Sequence, residues 1–166
     1  MACVKLYNED NYDSFVRESE AYRQLKHRGV KKCIPTVFGT KEWPRWRWEG
    51  RTPEESIPTD GDELLFGLVM ECFEDCETLH IRRATVPILK ELSKGFARIH
   101  AAGVVHRDLD ERNILLVRKK GITRVVWIDF SSAWWGFDFL PTIIDEWDMF
   151  RSLVHDRSVY PYARLC

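Results

Sequence analysis

The sequence has no long hydrophobic run, and none of its apolar stretches approaches the roughly 18 residues of a membrane-spanning helix. It also lacks a strong charge of either sign, because 25 Lys and Arg residues oppose 26 Asp and Glu residues and leave a net charge of -1. That balance argues against nucleic acid or a membrane surface as a partner. Residues 1–5 lack the apolar segment of a signal peptide, so we expect a cytoplasmic protein.

A cysteine motif for metal binding is also missing. The five cysteines contain no C-x-x-C pair, and their number is odd. Cys72 and Cys76 are four residues apart, but no second pair of His or Cys follows at a zinc-site spacing. We interpret the cysteines as buried thiols of a reducing compartment.

The chain does have ample apolar material for a packed core. Of its 166 residues 45% are hydrophobic, and these include seven Trp and nine Phe. The composition excludes intrinsic disorder, and the length fits one domain or one slightly divided domain. The predicted order is strand, helix, three strands, helix, hairpin and helix, which favours an α+β fold with segregated elements.

Hydrophobic periodicity and turn residues place these elements along the chain. A first apolar stripe of helical period ends near Gly29, and a second begins after Thr85, a candidate N-cap, and ends at Gly103. The other predicted elements are strands at Ala2–Tyr7, 34–38, 42–50, Leu64–Glu71, 114–117 and 124–128, a loop at 51–63 and a last helix at 143–154.

Residues 42–50 combine tryptophans with arginines. Trp43, Trp46 and Trp48 stand beside Arg45 and Arg47, and aromatic residues next to arginines can stack on nucleic-acid bases. A strand or hairpin with Trp46 and Trp48 on one face explains the same pattern by packing. The balanced charge of the chain favours packing, so we expect no nucleic-acid partner.

The most informative polar residues surround the predicted hairpin. His106, Arg107 and Asp108 lie in the loop after the second helix, and Asn113 follows Asp108 by five residues at the start of the hairpin. Asp129 stands at its far end. Because a hairpin returns the chain on itself, Asn113 and Asp129 come out at the same mouth. Their hard oxygen ligands suit Mg²⁺ rather than Zn²⁺.

This pattern resembles the catalytic loop of the eukaryotic protein-kinase superfamily, H-R-D-L-x-x-x-N, at every specified position. Asp129-Phe130-Ser131 stands where the family has D-F-G. The sequence is similar to the small, divergent kinase-like proteins of filamentous fungi. The resemblance implies a bilobal fold, with residues 1–73 as a truncated N-lobe and hinge and residues 74–166 as a partial helical C-lobe. The N-lobe sheet would be reduced, because only four residues precede Lys5 and the Gly-rich loop is absent.

The resemblance also implies a lysine–glutamate pair. Residues 2–5 look like the V-A-I-K strand, so Lys5 would hold the α- and β-phosphates, although a solvent-facing strand lysine is the alternative. Glu18 and Glu20 compete as its partner. Glu18 lies inside the apolar stripe of its helix and Glu20 lies nearly opposite, so Glu18 is assigned to orient Lys5.

The remaining roles also follow from the resemblance. Asn113 and Asp129 would hold Mg²⁺, and Asp108 would orient the attacking hydroxyl. The adenine pocket would be lined by Met70 and by the backbone carbonyl of Glu71 and amide of Phe73. His106 and Arg107 would be structural, and either Asp145 or Asp148 would anchor the catalytic loop.

We therefore expect an ATP- and Mg²⁺-dependent phosphotransferase that acts on a protein or small-molecule hydroxyl. The alternative from another class is a catalytically silent, pseudokinase-like binding module or a gene fragment. A hydrolase using Ser131 or Ser132 is disfavoured, because the sequence has no nucleophile-elbow motif. The oligomeric state is not indicated.

Overall fold

A computed structural model describes residues 1–44, 64–119, 121–136 and 140–155. These residues form an α+β fold of small antiparallel sheets and helices. The strands are β1 (Ala2–Tyr7), β2 (Val37–Pro44), β3 (Leu64–Glu71), β4 (Cys76–Thr78), β5 (Val104–Val105), β6 (Ile114–Lys119), β7 (Ile122–Trp127) and β8 (Trp134–Trp135), and the α-helices are α1 (Tyr12–His27), α2 (Val86–Ala101) and α3 (Leu140–His155). In this part of the chain, no helix is long and apolar enough to cross a membrane.

The first sheet has the strand order β1-β3-β2, with both pairs antiparallel. Helix α1 packs its apolar stripe on this sheet, where the Phe15 ring lies 5.5 Å from that of Phe66 and 5.7 Å from that of Tyr7. The same stripe buries Glu18 completely. The packing therefore turns Glu18 toward β1, which carries Lys5.

The second sheet has the order β4-β6-β7, and β5 and β8 form a separate two-stranded pair. The β6–β7 hairpin has Ile114 opposite Trp127, so its open end lies at Asn113 and Ile128. Trp127 is fully buried and stacks on Phe96 of α2, with ring centroids 5.4 Å apart. This contact fixes the hairpin mouth against the helix that precedes the His106 loop.

Most predicted elements have close counterparts in the structure. The first two helices stop before Gly29 and Gly103, whose φ angles of 76° and 74° allow the left-handed turn. Thr85 occupies the N-cap position of α2, but its side chain makes no capping hydrogen bond.

The strand predicted at residues 34–38 is placed wrongly, because the observed strand β2 starts only at Val37. Pro35 has no N–H to donate to a ladder, and Ile34 is buried by packing outside any strand. Within β2, the Trp43 ring covers Gly67 so closely that a Cβ there would clash, which supports a packing role for Trp43. Trp46, Trp48, Arg45 and Arg47 lie outside the described residues.

Candidate active site

Lys5 joins two carboxylates that are distant in sequence. Its Nζ lies 2.6 Å from Glu18 Oε2 and 2.8 Å from Asp129 Oδ1. The Lys5 side chain is 33% exposed, whereas that of Glu18 is fully buried. Glu20 instead bonds Arg23 at 2.6 Å on the surface. Of the two candidates, Glu18 therefore makes the predicted contact with Lys5 and Glu20 does not.

The opposite charges of Lys5 and its partners Glu18 and Asp129 stabilise one another. Burial disfavours the charged form of Lys5, but Glu18 and Asp129 outweigh it and raise the pKa of Lys5. Burial likewise opposes the ionisation of Asp129, but hydrogen bonds from Lys5 and Ser131 lower its pKa overall. Lys5 and Asp129 are therefore both charged at neutral pH, as a phosphate- and cation-binding site requires.

Helix α1 also positions the segment that follows Asp129. The Arg17 Nε donates to the Ser131 carbonyl at 2.9 Å, and the Tyr22 ring meets the Phe130 ring edge-on at 5.0 Å. Asp129 itself has a φ of 62°, a conformation that is uncommon outside glycine. The contacts with α1 hold this backbone in place and present the Asp129 carboxylate to Lys5.

Tyr7 is a member of the cluster that the sequence analysis missed. Its hydroxyl donates to Glu18 Oε2, the same oxygen that accepts from Lys5. Burial and then the Glu18 charge raise the pKa of Tyr7 far above its ordinary value, so the hydroxyl stays a donor. The strand alternation offered a clue, because Tyr7 is two residues from Lys5 and shares its face.

Replacing Tyr7 by Phe should lower the free energy of unfolding by about 2 kcal/mol, because a buried carboxylate loses a donor. The ring contact with Phe15 would be kept. Tyr12→Phe is the matched control, since Tyr12 belongs to the same aromatic cluster but is 44% exposed. Urea unfolding of both variants checks this, and equal effects would contradict the role given to the Tyr7 hydroxyl.

Asp108 and Asn113 are joined by their side chains. The Asn113 Nδ2 donates to Asp108 Oδ2 at 2.9 Å and to the Asp108 carbonyl at 3.1 Å. Because both acceptors on Asp108 are oxygens, the side-chain nitrogen of Asn113 must face Asp108. The Asn113 Oδ1 is then left to bind another partner. Asp108 itself is exposed and could meet a substrate hydroxyl.

The hairpin mouth brings Asn113 next to Asp129, as the sequence predicts. The Ile128 amide donates to the Asn113 carbonyl at 2.9 Å, and Asp129 follows directly. An amide oxygen and a carboxylate thus lie at one end of the hairpin, and both are ligands that Mg²⁺ accepts. Across the described ranges, no three His, Cys, Asp or Glu side chains cluster to bind a metal. A cation held here would therefore need further oxygens from a ligand or from water.

Glu146 of α3 anchors the His106 loop. Its Oε2 accepts the His106 backbone amide at 3.1 Å and its Oε1 accepts that of Arg107, while His100 Nε2 lies 2.5 Å from Oε2. Glu146 is only 3% exposed. The structure therefore places a glutamate where the sequence analysis expected an aspartate.

The prediction that Asp145 or Asp148 anchors the loop is wrong. Both residues are exposed, and Asp148 bonds Arg151 at 3.2 Å on the outer face of α3. The helical period turns Glu146, not its acidic neighbours, toward the loop. The longer Glu side chain supplies the same two carboxylate oxygens.

His106 fastens the loop to the hairpin. Its ring is fully buried, packs 4.6 Å from the Phe130 ring, and its Nε2 lies 2.9 Å from the Ile128 carbonyl. Burial lowers the pKa of His106 below its ordinary value. The ring is therefore neutral at neutral pH and donates from Nε2, which agrees with the structural role assigned from the sequence.

Acid should destabilise the protein through His106. Because its folded-state pKa lies below the unfolded value of about 6.5, the unfolded state binds more protons below that pH. This stability is complete above about pH 6.5 and is lost as the pH falls, by at most about 1.4 kcal/mol per pH unit. The negative charges of Glu146, Asp108 and Asp129 favour the protonated ring, so they reduce this loss of stability.

Urea unfolding between pH 8 and pH 5 measures this effect. His106→Gln should flatten the pH dependence of the unfolding free energy, whatever its effect at pH 8. His80→Gln is the control, because the His80 side chain is 64% exposed. An unchanged pH slope in His106→Gln would contradict the assignment.

The three residues expected at the adenine pocket lie at the end of β3. Met70 is buried, and the Glu71 side chain accepts the Thr36 amide at 3.1 Å and lies 3.3 Å from Arg124 of β7. The Arg124 guanidinium also lies 5.2 Å from the centre of the Phe73 ring. These contacts connect the end of β3 to the β6–β7 hairpin.

Together the Lys5–Glu18 pair of the first sheet, the His-Arg-Asp loop and the oxygen ligands at the hairpin mouth form the candidate active site. Comparison with known proteins shows which proteins the chain is similar to. Residues 69–134 match the model of the lipopolysaccharide kinase (Kdo/WaaP) family.

Curated relatives point the same way. The chain is 32% identical over 100 residues to the chloroplastic serine/threonine-protein kinase STN8 of Arabidopsis thaliana, covering 55% of this chain and 19% of that protein. It is 27% identical over 128 residues to the protein kinase gsk3 of Schizosaccharomyces pombe, covering 70% of this chain and 28% of that protein. The chain is also 37% identical over 73 residues to a smooth-muscle myosin light chain kinase of Gallus gallus, and this match covers 44% of this chain and 4% of that protein.

These matches confirm the kinase-like relationship expected from the His106–Asn113 pattern, and the chain is related to the protein kinases. The chain spans less than a third of the length of each of these relatives.

Proposed function

We propose that the chain binds Mg·ATP and transfers the γ-phosphate to a hydroxyl group of a protein or small molecule. The observation that carries this proposal is the contact of Lys5 with both Glu18 and Asp129. It links a strand of the first sheet to the mouth of the hairpin, where Asn113 meets Asp108. The kinase-like relationship of the chain supports the same reaction class.

Lys5 would bind the α- and β-phosphates as a fixed cation. Glu18, which is buried and held by Tyr7, orients the ammonium group. Asn113 Oδ1 and the Asp129 carboxylate would hold Mg²⁺, which neutralises the charge on the phosphates when bound. Since Asp129 bonds Lys5 through Oδ1, the same carboxylate would connect the two cationic groups.

Asp108 would receive or orient the proton of the acceptor hydroxyl. Its exposure leaves it accessible, and the Asn113 amide fixes its carboxylate at 2.9 Å. Phosphoryl transfer depends mainly on position and charge, so this orientation is the main contribution that we assign to Asp108.

The adenine would lie against the end of β3. Met70 would line the back of the pocket, and the Glu71 carbonyl and Phe73 amide would face the base edge. This arrangement requires residues 1–73 and 74–166 to act as two lobes around the nucleotide. The ion pair between Glu71 and Arg124 supports a fixed relation between the two halves at this point.

The melting temperature with and without Mg·ATP tests the proposal. Ligand at about 100 times its Kd stabilises by roughly 2.7 kcal/mol, which corresponds to a rise of about 5–10 °C. Lys5→Met should abolish the shift. Lys94→Met should keep it, because Lys94 pairs with Glu91 on the surface of α2. An absent shift in the folded wild-type protein would contradict the proposal, and a shift without any ADP formation would favour a silent nucleotide-binding module.

A further inference from the structure

Cys3 and Cys72 lie near the end of the ladder that pairs β1 with β3. Cys3 lies opposite Met70 in the antiparallel register, and the Cys72 amide donates to the Met1 carbonyl at 3.1 Å. Cys72 thus lies opposite Met1, two residues beyond the partner of Cys3. Paired residues and residues two apart share a face of the sheet, so both thiols project from the same face as diagonal neighbours.

That face is the one that carries Lys5. Cys3 precedes Lys5 by two residues on β1, and Cys72 stands between Glu71 and Phe73. The Cys3 thiol donates to the Glu71 carbonyl at 3.8 Å. The thiol pair therefore borders the backbone to which the proposed function assigns the adenine edge.

We propose that Cys3 and Cys72 form an oxidation site whose disulfide closes the adenine pocket. Their place as diagonal neighbours on one face of the β1–β3 ladder is the geometry on which the proposal rests. Both residues are partly exposed and so reachable by a small oxidant. By contrast, Cys33 is buried against the Gly95 carbonyl and Cys76 is exposed beside the Phe73 carbonyl.

The oxidant is a peroxide. Hydrogen peroxide converts one thiol to a sulfenic acid and releases water, and the second thiol attacks that sulfur and releases another water. One S–S bond forms, two S–H bonds break, and two electrons pass from the thiols to the peroxide. A dithiol reductant reverses the step by exchange.

The register makes this disulfide a labile one. Diagonal neighbours in an antiparallel pair have Cα atoms about 7–8 Å apart, whereas disulfides need about 4.4–6.8 Å. Closure must draw Cys72 and the start of β1 together by about 1 Å. Cys72 lies just beyond the last residue of β3, where no ladder pairing on the β2 side opposes the shift. A strained bridge of this kind is easily reduced.

Peptide mapping after peroxide treatment tests the site directly. We expect a Cys3–Cys72 peptide pair lighter by two hydrogen atoms, which a dithiol reductant returns to free thiols. Cys72→Ser should abolish the pair and Cys76→Ser should leave it. Oxidation that stops at single thiols, or that joins Cys76 instead, would overturn the proposal.

The consequence for nucleotide rests on the proposed function, so both redox forms are titrated with Mg·ATP. The disulfide form should bind at least about tenfold more weakly than the reduced form, and reduction should restore the affinity. Equal affinity of the two forms would overturn closure of the pocket. If the disulfide forms but the reduced protein does not bind, the proposed function fails alone. If the reduced protein binds and no disulfide forms, the thiol site fails alone.

Discussion

Asp129→Asn should weaken Mg·ATP binding by about 10- to 100-fold and leave the fold intact. The substitution keeps the side-chain size but removes the charge that pairs with Lys5 and that, under the proposed function, would hold Mg²⁺. Loss of a hydrogen bond between charged groups costs about 1.5–3 kcal/mol, which corresponds to that change in Kd. Isothermal titration with Mg·ATP measures it.

Asp108→Asn should reduce turnover and spare binding, because the proposed function assigns Asp108 to the acceptor hydroxyl rather than to the phosphates. Mg·ATP affinity should change little, while the rate of phosphoryl transfer should fall by about 10²–10⁴-fold. Asp110→Asn is the matched control, since Asp110 lies in the same loop but bonds the exposed Arg112. If Asp108→Asn lost binding and Asp129→Asn lost only turnover, the two assignments would be reversed.

Glu146→Ala should give the largest loss of stability, about 3–5 kcal/mol in the free energy of unfolding. The substitution removes the acceptor of the His106 and Arg107 amides and leaves His100 without its partner. His100 and His106 are buried, so water replaces their lost bonds poorly. Urea unfolding measures the change.

Two kinds of variant make this prediction specific. Asp145→Ala and Asp148→Ala should each change stability by less than about 0.5 kcal/mol, because both side chains are exposed. Glu146→Gln keeps the shape and should cost less than Glu146→Ala while remaining measurable if the Ala variant does not fold. Equal losses of unfolding free energy in Asp145→Ala and Glu146→Ala would contradict the assignment of Glu146 as the residue that anchors the His106 loop.

The sequence predicted those parts of the site that depend on local periodicity. Glu18 could be assigned because a carboxylate inside an apolar stripe needs a partner, and the structure gives it Lys5. The meeting of Asn113 with the residues around Asp129 followed from the hairpin alone. The chemical roles of these residues stay predictions until the substitutions are measured.

The missed features depend on tertiary contacts. The sequence does not single out Glu146, because α3 carries three acidic residues within four positions. The helical period alone does not show which face of α3 packs against the His106 loop. The two-residue pair β5-β8 is too short to leave a pattern in the sequence. That pair places the Trp134 ring 3.8 Å from the Arg107 guanidinium, a contact between residues that no local pattern connects.

The most direct test of the central claim is the position of a metal in crystals of the chain grown with Mn²⁺ and a non-hydrolysable ATP analogue. Mn²⁺ replaces Mg²⁺ at oxygen sites and is located by its anomalous scattering. The account predicts a Mn²⁺ peak between the Asp129 carboxylate and Asn113 Oδ1, with the nucleotide phosphates beside Lys5 Nζ. A nucleotide bound away from Lys5, or a metal that contacts neither Asn113 nor Asp129, would contradict it.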